Sequence, residues 1–554
     1  MDYQKKKITY LLLIATLILI VVRFLYPIGS ELLQKIRDHY EPIVYGKEII
    51  YSEIDNGDMN IADEILQNKY EISRFEPITI ENITWRENPY DDIYWRFNYY
   101  NLEPARNLLY AWEKTNKPIY KDKLIEIVES FLDSGIYGPY SWDYHGTAFR
   151  TMTLINIRQK LFNKSELSSE IDQKILESLI KHGDFLADQS HFESDYNHGL
   201  DQSAALYLLA VNFPDLQGSN SWLEISSKRL VQMQTNIIDD DGVLVENSPY
   251  YHFYVLEKFI AINKYLKQNN LKIENFSEEK INKMISYATY ILHPDLTIPT
   301  IGASISRQIN FFGLYREISE TNPDLLYVLT KGSRGKEPEK LNVHYPSSGQ
   351  TIMRSNWGKE EDFLSQTQLI FDVGDYRTNH SDFDALSFDL FGAGISLIPD
   401  AGLFNYEDGP FRSYFHGTRS HNTVLVDGKD QNIGVEKSVY SGKLEEGDGY
   451  VYQSGENNLN DGVSHKRAII MIEDSTILIL DNLRSSSIHT YEQIFHLFPG
   501  AQISSDGLNI TATGSESDQI LNINQFVTNG VELGTTLGQN DDNNVDGWCS
   551  LQYK

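Results

Sequence analysis

The sequence predicts an α+β multidomain protein, built as an N-terminal membrane anchor, a long helical part and a C-terminal antiparallel β part. Three observations carry this reading. Apolar residues recur at three- and four-residue spacing through residues 90–340. From about residue 351 the hydrophobic period falls to two. Near the start, three lysines precede an apolar run of roughly 19 residues, about enough to cross a bilayer as a helix. The length of 554 residues allows two or three domains with large cores.

The apolar run covers residues 8–22 and continues through Phe24, Leu25 and Tyr26. Arg23 lies near its end, where it can snorkel, and Lys5, Lys6 and Lys7 set a cytoplasmic N-terminus. The expectation is an uncleaved anchor over residues 1–30 in a bacterial inner membrane, single-pass, with the remaining domains in the periplasm. The alternative is a cleaved signal peptide, for which Gly29-Ser30 is a weak cleavage site. Residues 31–89 read as a mixed linker, with a helical piece at 31–39 and extended pieces near 48–51 and 78–83.

The helical domain spans residues 90–340. Helices are expected over 102–112, 120–132, 147–161, 170–189, 198–211, 222–236, 250–266, 280–292 and 311–329. Such a succession packs as a bundle, a solenoid or a toroid, and the lack of a fixed-period repeat weakens the solenoid. A polar stretch at 331–340 ends it. Residues 341–554 form the second domain, with strands expected over 367–372, 387–390, 395–398, 423–426, 466–472, 476–480 and 491–497. Strands following helices in this way indicate a separate β-sandwich.

The hydrophobic content of 41% excludes a disordered chain. A net charge of −30 argues against nucleic acid and anionic membrane surfaces as main partners. A polyanionic substrate would need a locally basic cleft, for which Arg150, Arg354, Arg377, Arg412 and Arg419 are candidates. The 35 tyrosines suit either sugar-stacking surfaces or ordinary core packing. A single cysteine, Cys549, excludes an intrachain disulfide.

Polar residues are densest at 379–400, NHSDFDALSFDLFGAGISLIPD. His380, Asp382 and Asp384 alternate, so in a strand they would share one face. Two strands around Gly392-Ala393-Gly394 follow, then Asp400, and His421 opens HNTVLVDG. This density beside apolar strands marks a site without naming a reaction.

Taken with other pieces in order, this stretch resembles the heparinase II/III-like polysaccharide lyases, which are related to alginate and oligo-alginate lyases. The pieces are Trp142 and Arg150, YNHG at 196–199, ENSPYYH at 246–252, His380 with DALSF at 384–388, DAG at 400–402, Arg412 and Arg419, and HNT at 421–423. The resemblance spans about residues 90–500. It implies an incomplete α/α toroid followed by an antiparallel β-sandwich, with the active site in the cleft between them.

It also implies β-elimination on a uronate-containing glycan. A base removes the C5 proton, the bond from C4 to the bridging oxygen breaks, and the adjacent carboxylate must be neutralised because it resists further negative charge. Asn197 and His198 suit that neutralisation, although Asn197 also reads as a cap of a helix starting near His198. Tyr251 can protonate the leaving oxygen and, as phenolate, take the proton. His380 is the alternative base or a second neutraliser. Trp142, Arg150, Glu246, Tyr250, Arg412 and Arg419 are expected to bind substrate. Asp382, Asp400 and His421 resemble the family's structural metal site. Asp382 stands where the family often has a second histidine. Zinc comes first for this site, with calcium or no metal as alternatives.

Two other functions remain. A glycoside hydrolase would draw two carboxylates from Asp143, Glu193, Asp195, Asp201 and Glu246. A non-catalytic glycan-binding or assembly factor in exopolysaccharide production would suit an acidic, anchored protein. The primary expectation is an outward-facing lyase acting on an acidic polysaccharide, linked to exopolysaccharide production or turnover.

Overall fold

The structure, a computed structural model, describes residues 51–550 apart from 74, 310–317, 378–379, 407, 434–437, 474, 515–519, 527–528, 539–544 and 548. The inner-membrane placement is corrected: among the described residues no helix is long and apolar enough to cross a membrane. The apolar run itself, residues 8–26, lies outside the described residues, as do the helix expected at 31–39 and most of the extended piece expected near 48–51.

Helices fill the first half: α1 (Ser52–Asp55), α2 (Met59–Ile65), α3 (Ile93–Tyr100), α4 (Glu103–Thr115), α5 (Pro118–Asp133), α6 (Tyr144–Asn163), α7 (Ser169–Ala187), α8 (Asn197–Asn212), α9 (Ser219–Asn236), α10 (Pro249–Gln268), α11 (Glu278–Ile291) and α12 (Pro323–Leu329). A short pair, β1 (Lys69–Tyr70) with β2 (Ile78–Thr79), precedes α3. Side-chain caps set several starts, among them Asp143 for α6, Ser168 for α7, Ser248 for α10 and Ser277 for α11. Of the helix expected over 311–329, residues 311–317 lie outside the described residues, and its last part is α12, which starts at Pro323 with Asn322 capping the Leu325 amide. Helix α8 is buried on nearly all sides, held between α6 and α9. Its apolar run ALYLLAV suits that central position.

The second half is antiparallel sheet. One sheet orders β3 (Val343–Tyr345), β4 (Gln350–Arg354), β5 (Gln368–Asp372), β6 (Phe388–Gly392) and β7 (Ile395–Ile398). Ala393 and Gly394, at φ 52° and 84°, make the tight turn between β6 and β7. After α13 (Pro410–His416) come β8 (Val424–Val426), β9 (Val439–Ser441), β10 (Glu445–Gly447), β11 (Tyr450–Asn460), β12 (Val463–Ile472), β13 (Thr476–Ser485) and β14 (Tyr491–Gln493). Strands β10 to β13 form a second sheet, with β9 also on β11, and β8 pairs with β14. A third sheet is β15 (Gln502–Asp506), β16 (Asn509–Thr513) and β17 (Ile520–Ile523). The first two sheets share one core, in which Leu369, Phe371, Phe388 and Leu390 meet Val451, Ile469 and Met471.

Strands β4 and β5 are buried at every residue. One face enters that core and the other meets the helices. The helix contact is polar. Arg354 donates to the Tyr290 and Leu292 carbonyls at 2.9 and 2.6 Å, Asn247 donates to Asp372 at 3.2 Å, and His293 pairs with Asp389 at 2.9 Å. These bonds fix the helical part against the sheet.

The alternation at 380–384 is not a strand. The segment is an irregular loop that reaches β6 through Leu386 at φ 63°. His380, Asp382 and Asp384 therefore do not share a strand face.

Candidate active site

A cavity of about 1570 Å³ is lined by residues of the helical part and by His380, Leu403 and Tyr406 from the sheet part. The cluster at its wall begins with Asn197, the first residue of α8, whose backbone N–H has no partner within its own helix. The fully buried Glu246 carboxylate accepts it at 2.9 Å and accepts Asn197 Nδ2 at 3.1 and 3.3 Å. Tyr196, not Asn197, is the N-cap. Glu246 Oε2 also lies 2.5 Å from His380 Nδ1. A buried carboxylate requires such partners. With Nδ1 donating to Glu246, Nε2 is the basic nitrogen of the neutral ring.

The His380 ring lies flat on Tyr251, 4.0 Å between centroids and 10° between planes. Tyr251 is set in the first turn of α10, and its hydroxyl lies 2.9 Å from that of Tyr406. The His380 carbonyl accepts from the Ala303 amide at 2.8 Å, which ties the loop to the helical part. Gly302 makes this approach possible. It has φ 61°, and a Cβ there would lie 2.9 Å from the His380 oxygen.

Beside this group, His198 stacks on His145 at 4.0 Å and 18°. Each ring has its own carboxylate: His198 Nδ1 lies 3.2 Å from Glu193, and His145 Nε2 lies 2.7 Å from the fully buried Asp201. Asp201 also accepts from Tyr254 at 3.1 Å. Burial pulls His198 down, but the hydrogen bond and charge of Glu193, helped by Asp201 and Glu246, raise its pKa above the ordinary value. Burial and the neighbouring His198 lower His145. The two stacked rings thus shift in opposite directions, and both line the cavity.

Of the residues expected to bind substrate, Trp142, Arg150 and Tyr250 line the cavity. The Arg150 charge is nevertheless engaged inside the protein. It is fully buried, donating to His182 at 2.8 Å, to the Tyr100 carbonyl at 3.0 Å and to Ser141. Glu246 is likewise buried and serves to position Asn197 and His380. Arg412 stacks over Tyr406 at 5.1 Å. Arg419 is paired with Glu492, both bonds at 3.1 Å, and is not a lining residue. Arg354 is clamped to carbonyls and Arg377 is bound to Asp239 at 3.1 Å, so the cations lining the cavity are mostly others: Arg96, Arg106, Lys264 and Arg307. Sequence reasoning missed His145 and Tyr406, and weighed Glu193 only as a hydrolase carboxylate. His145 directly follows Trp142-Asp143-Tyr144, a signal that was present; Tyr406 carried none.

Near the loop, Asp384, Asp400 and His421 each offer a ligand atom, all within 4.8 Å of one another. Asp384 takes the place expected for Asp382, although Asp382 is buried alongside. His421 Nδ1 is 2.9 Å from Asp400. Asp382 Oδ2, Asp384 Oδ2 and His421 Nε2 are buried without a hydrogen-bond partner. Burial pushes Asp382 up to about 7. Burial lowers His421, but the Asp400 charge outweighs it and lifts the group to about 10. Orphaned buried oxygens and nitrogen on one carboxylate-rich cluster fit a divalent cation.

A helical first half, antiparallel sheets behind it and a histidine–tyrosine cluster between them place the chain among two-part, mixed helix-and-sheet proteins. The family is then direct. Residues 29–325 match the heparinase II/III N-terminus and residues 337–547 match the heparinase II/III-like C-terminal domain. The chain belongs to the heparinase II/III family. It is 26% identical over 319 residues to a heparin-sulfate lyase of Pedobacter heparinus, covering 56% of this chain and 47% of that protein. A heparin-sulfate lyase of Bacteroides stercoris is 25% identical over 384 residues, covering 66% and 54%. The chain thus spans about half the length of these relatives. Among solved structures, heparinase III superposes with a TM-score of 0.76 at 18% identity, covering 89% of this chain and 82% of that one. Heparan sulfate lyase HepC from Pedobacter heparinus gives 0.65 at 20% identity, covering 86% and 77%. These likenesses show the fold.

Proposed function

We propose that this chain is a polysaccharide lyase that cleaves a uronate-containing glycan by β-elimination. The observation that carries this is the stacked Tyr251–His380 pair on the cavity wall, with Glu246 behind His380 and Asn197 beside it. Heparin- or heparan-sulfate-type polymers are the first substrates to test, because the matched relatives carry those names. The finer architecture we infer is an incomplete α/α toroid followed by a β-sandwich, with the cleft between them.

In this reading His380 Nε2 takes the C5 proton. The C–H electrons form the C4–C5 double bond, the C4–O bond breaks, and the Tyr251 hydroxyl protonates the leaving oxygen. Glu246 holds the ring's Nδ1–H and balances the charge that the ring gains. The Asn197 amide and protonated His198 neutralise the substrate carboxylate as negative charge develops. One proton gained at His380 and one lost from Tyr251 balance between two rings in contact.

A hydrolase would need two carboxylates facing the bond. Glu246 and Asp201 are fully buried and committed to histidines, and Asp143 caps α6. Asp384, Asp400 and His421, with Asp382 beside them, would hold one divalent cation. Its chemistry there is charge compensation that braces the loop carrying His380.

The test is ultraviolet absorbance of the unsaturated product with a panel of uronate polysaccharides, run beside Tyr251→Phe and His380→Ala. A signal lost in both variants is the expected result. Reducing ends without absorbance would overturn the reading in favour of hydrolysis.

A further inference from the structure

The catalytic cluster occupies only part of the cavity wall, and a second feature of that wall extends away from it. Four rings follow one another along it. Tyr94 stacks on Phe97 at 6.3 Å and 16°, both on α3. Phe97 meets His145 on α6 at 5.1 Å, and His145 stacks on His198 at 4.0 Å. All four line the cavity. The row therefore runs from an exposed tyrosine to the ring that faces the substrate carboxylate. Tyr94 is 42% exposed, and Tyr140 opposite Arg96 is 36% exposed. Large rings left open to solvent at a cavity mouth are a recognised mark of a contact surface.

Of the cations that line the cavity, Arg96 is the one set over an exposed ring. The Arg96 guanidinium lies over the Tyr140 ring at 4.6 Å, and its ion pair with Asp91 is long, 3.6 Å, to a carboxylate that is 95% exposed. A surface pair of that kind is weak and exchanges readily for another anion. Arg150, which the sequence suggested for this duty, is held by His182 and the Tyr100 carbonyl, and Arg106 by Asn101.

We propose that Tyr94 on one side of α3, and Arg96 with Tyr140 on the other, make a distal subsite for an acidic sugar residue of the same glycan chain. The tyrosine faces take the C–H faces of pyranose rings, as aromatic side chains do with apolar surface that carries polar edges. Arg96 takes the carboxylate or an O-sulfate of that residue as a planar donor. The ring row joins this subsite to His198, so a chain bound at both ends spans the wall. Long substrates then gain affinity that short ones lack. The proposal rests on the glycan-lyase reading for its ligand but not for its test.

The test is calorimetric binding of a uronate oligosaccharide ladder to Tyr251→Phe protein, which removes turnover as a variable. The expected result is an affinity that rises with chain length, and a rise abolished when Tyr94→Ala or Arg96→Gln is added. At the longest length each change weakens binding roughly three- to tenfold. Tyr137→Ala is the control: the ring is 74% exposed but does not line the cavity, so the rise persists. A length-dependent gain that survives both Tyr94→Ala and Arg96→Gln overturns the subsite. Binding of the ladder without any unsaturated product from the unsubstituted protein would instead overturn the lyase reading and leave the subsite standing.

Discussion

At the scale of single residues, Glu246 is the most connected group in the site. It holds the Asn197 amide and His380 Nδ1 with one buried carboxylate. Glu246→Gln keeps the shape but loses the charge that supports a protonated ring. Its kcat is expected to fall about a hundredfold or more, with KM little changed. A KM effect alone in steady-state kinetics would make Glu246 a purely structural group. His198 supplies the pH prediction. Its folded pKa is raised, so the folded state favours the charged ring. That stabilisation is fully present below pH 6.5 and is lost as pH rises through the raised value. Glycan KM is expected to stay flat through pH 6.5 and climb above it. In Glu193→Gln the climb moves to lower pH, and an unmoved profile would count against the pair. Much of this site was legible, because Asn197, His198, Tyr251 and His380 sit in short motifs. Arg150 was misread because an arginine looks the same in sequence whether its guanidinium faces solvent or binds three carbonyl and imidazole partners inside.

At the scale of elements, periodicity located α4 to α11 to within a few residues, because each buries one face or, like α8, nearly all of its surface. The short helices α1, α2, α3 and α13 have too few turns to show a period. Two further elements were misjudged for definite reasons. The alternation of His380, Asp382 and Asp384 imitates a strand, yet no neighbouring strand pairs with that segment, and its carboxylates turn inward. Strand β11 carries the polar run QSGENN and gave no period-two signal. It forms because β9, β10 and β12 all pair with it. The join between α11 and β4 yields a prediction at this scale. Arg354 satisfies the last carbonyls of the helix, which otherwise lack partners. Arg354→Ala is expected to cost about 2–4 kcal/mol in urea unfolding. A change below half of that would show that Gln368, which donates to the same carbonyls at 3.0 and 3.2 Å, is sufficient alone.

At the scale of the whole molecule, the change of period separated helices from strands, but nothing in the sequence said how they meet. The meeting is made by polar pairs far apart in the chain, such as Asn247 with Asp372 and His293 with Asp389, and such pairs leave no local pattern. The buried acidic cluster belongs to this scale because it lies behind the loop that joins the halves. Elemental analysis of dialysed protein is expected to find one divalent ion per chain. Chelation is expected to lower the melting midpoint by about 3 °C or more, and Asp384→Asn to lower the occupancy. Metal-free protein that a chelator leaves unchanged would refute the site.

The closeness of Gly302 to the loop that carries His380 has its own consequence for how this sequence can drift. Most positions around the cavity present side chains that a neighbour can follow when they change. Residue 302 presents only a hydrogen, wedged between the Asn247 and His380 oxygens at 2.6 and 2.9 Å from where a methyl would sit. Mutation there has no conservative option. Alanine, the smallest step available, is also a step in the position of the base, and a shift near 1 Å can cost about a hundredfold in rate. Gly302→Ala should therefore appear in a selection for activity as a lost clone that still folds, and circular dichroism beside turnover would distinguish that from collapse. The tolerance of the site to inheritance is thus narrow at a residue that contributes no side chain to it.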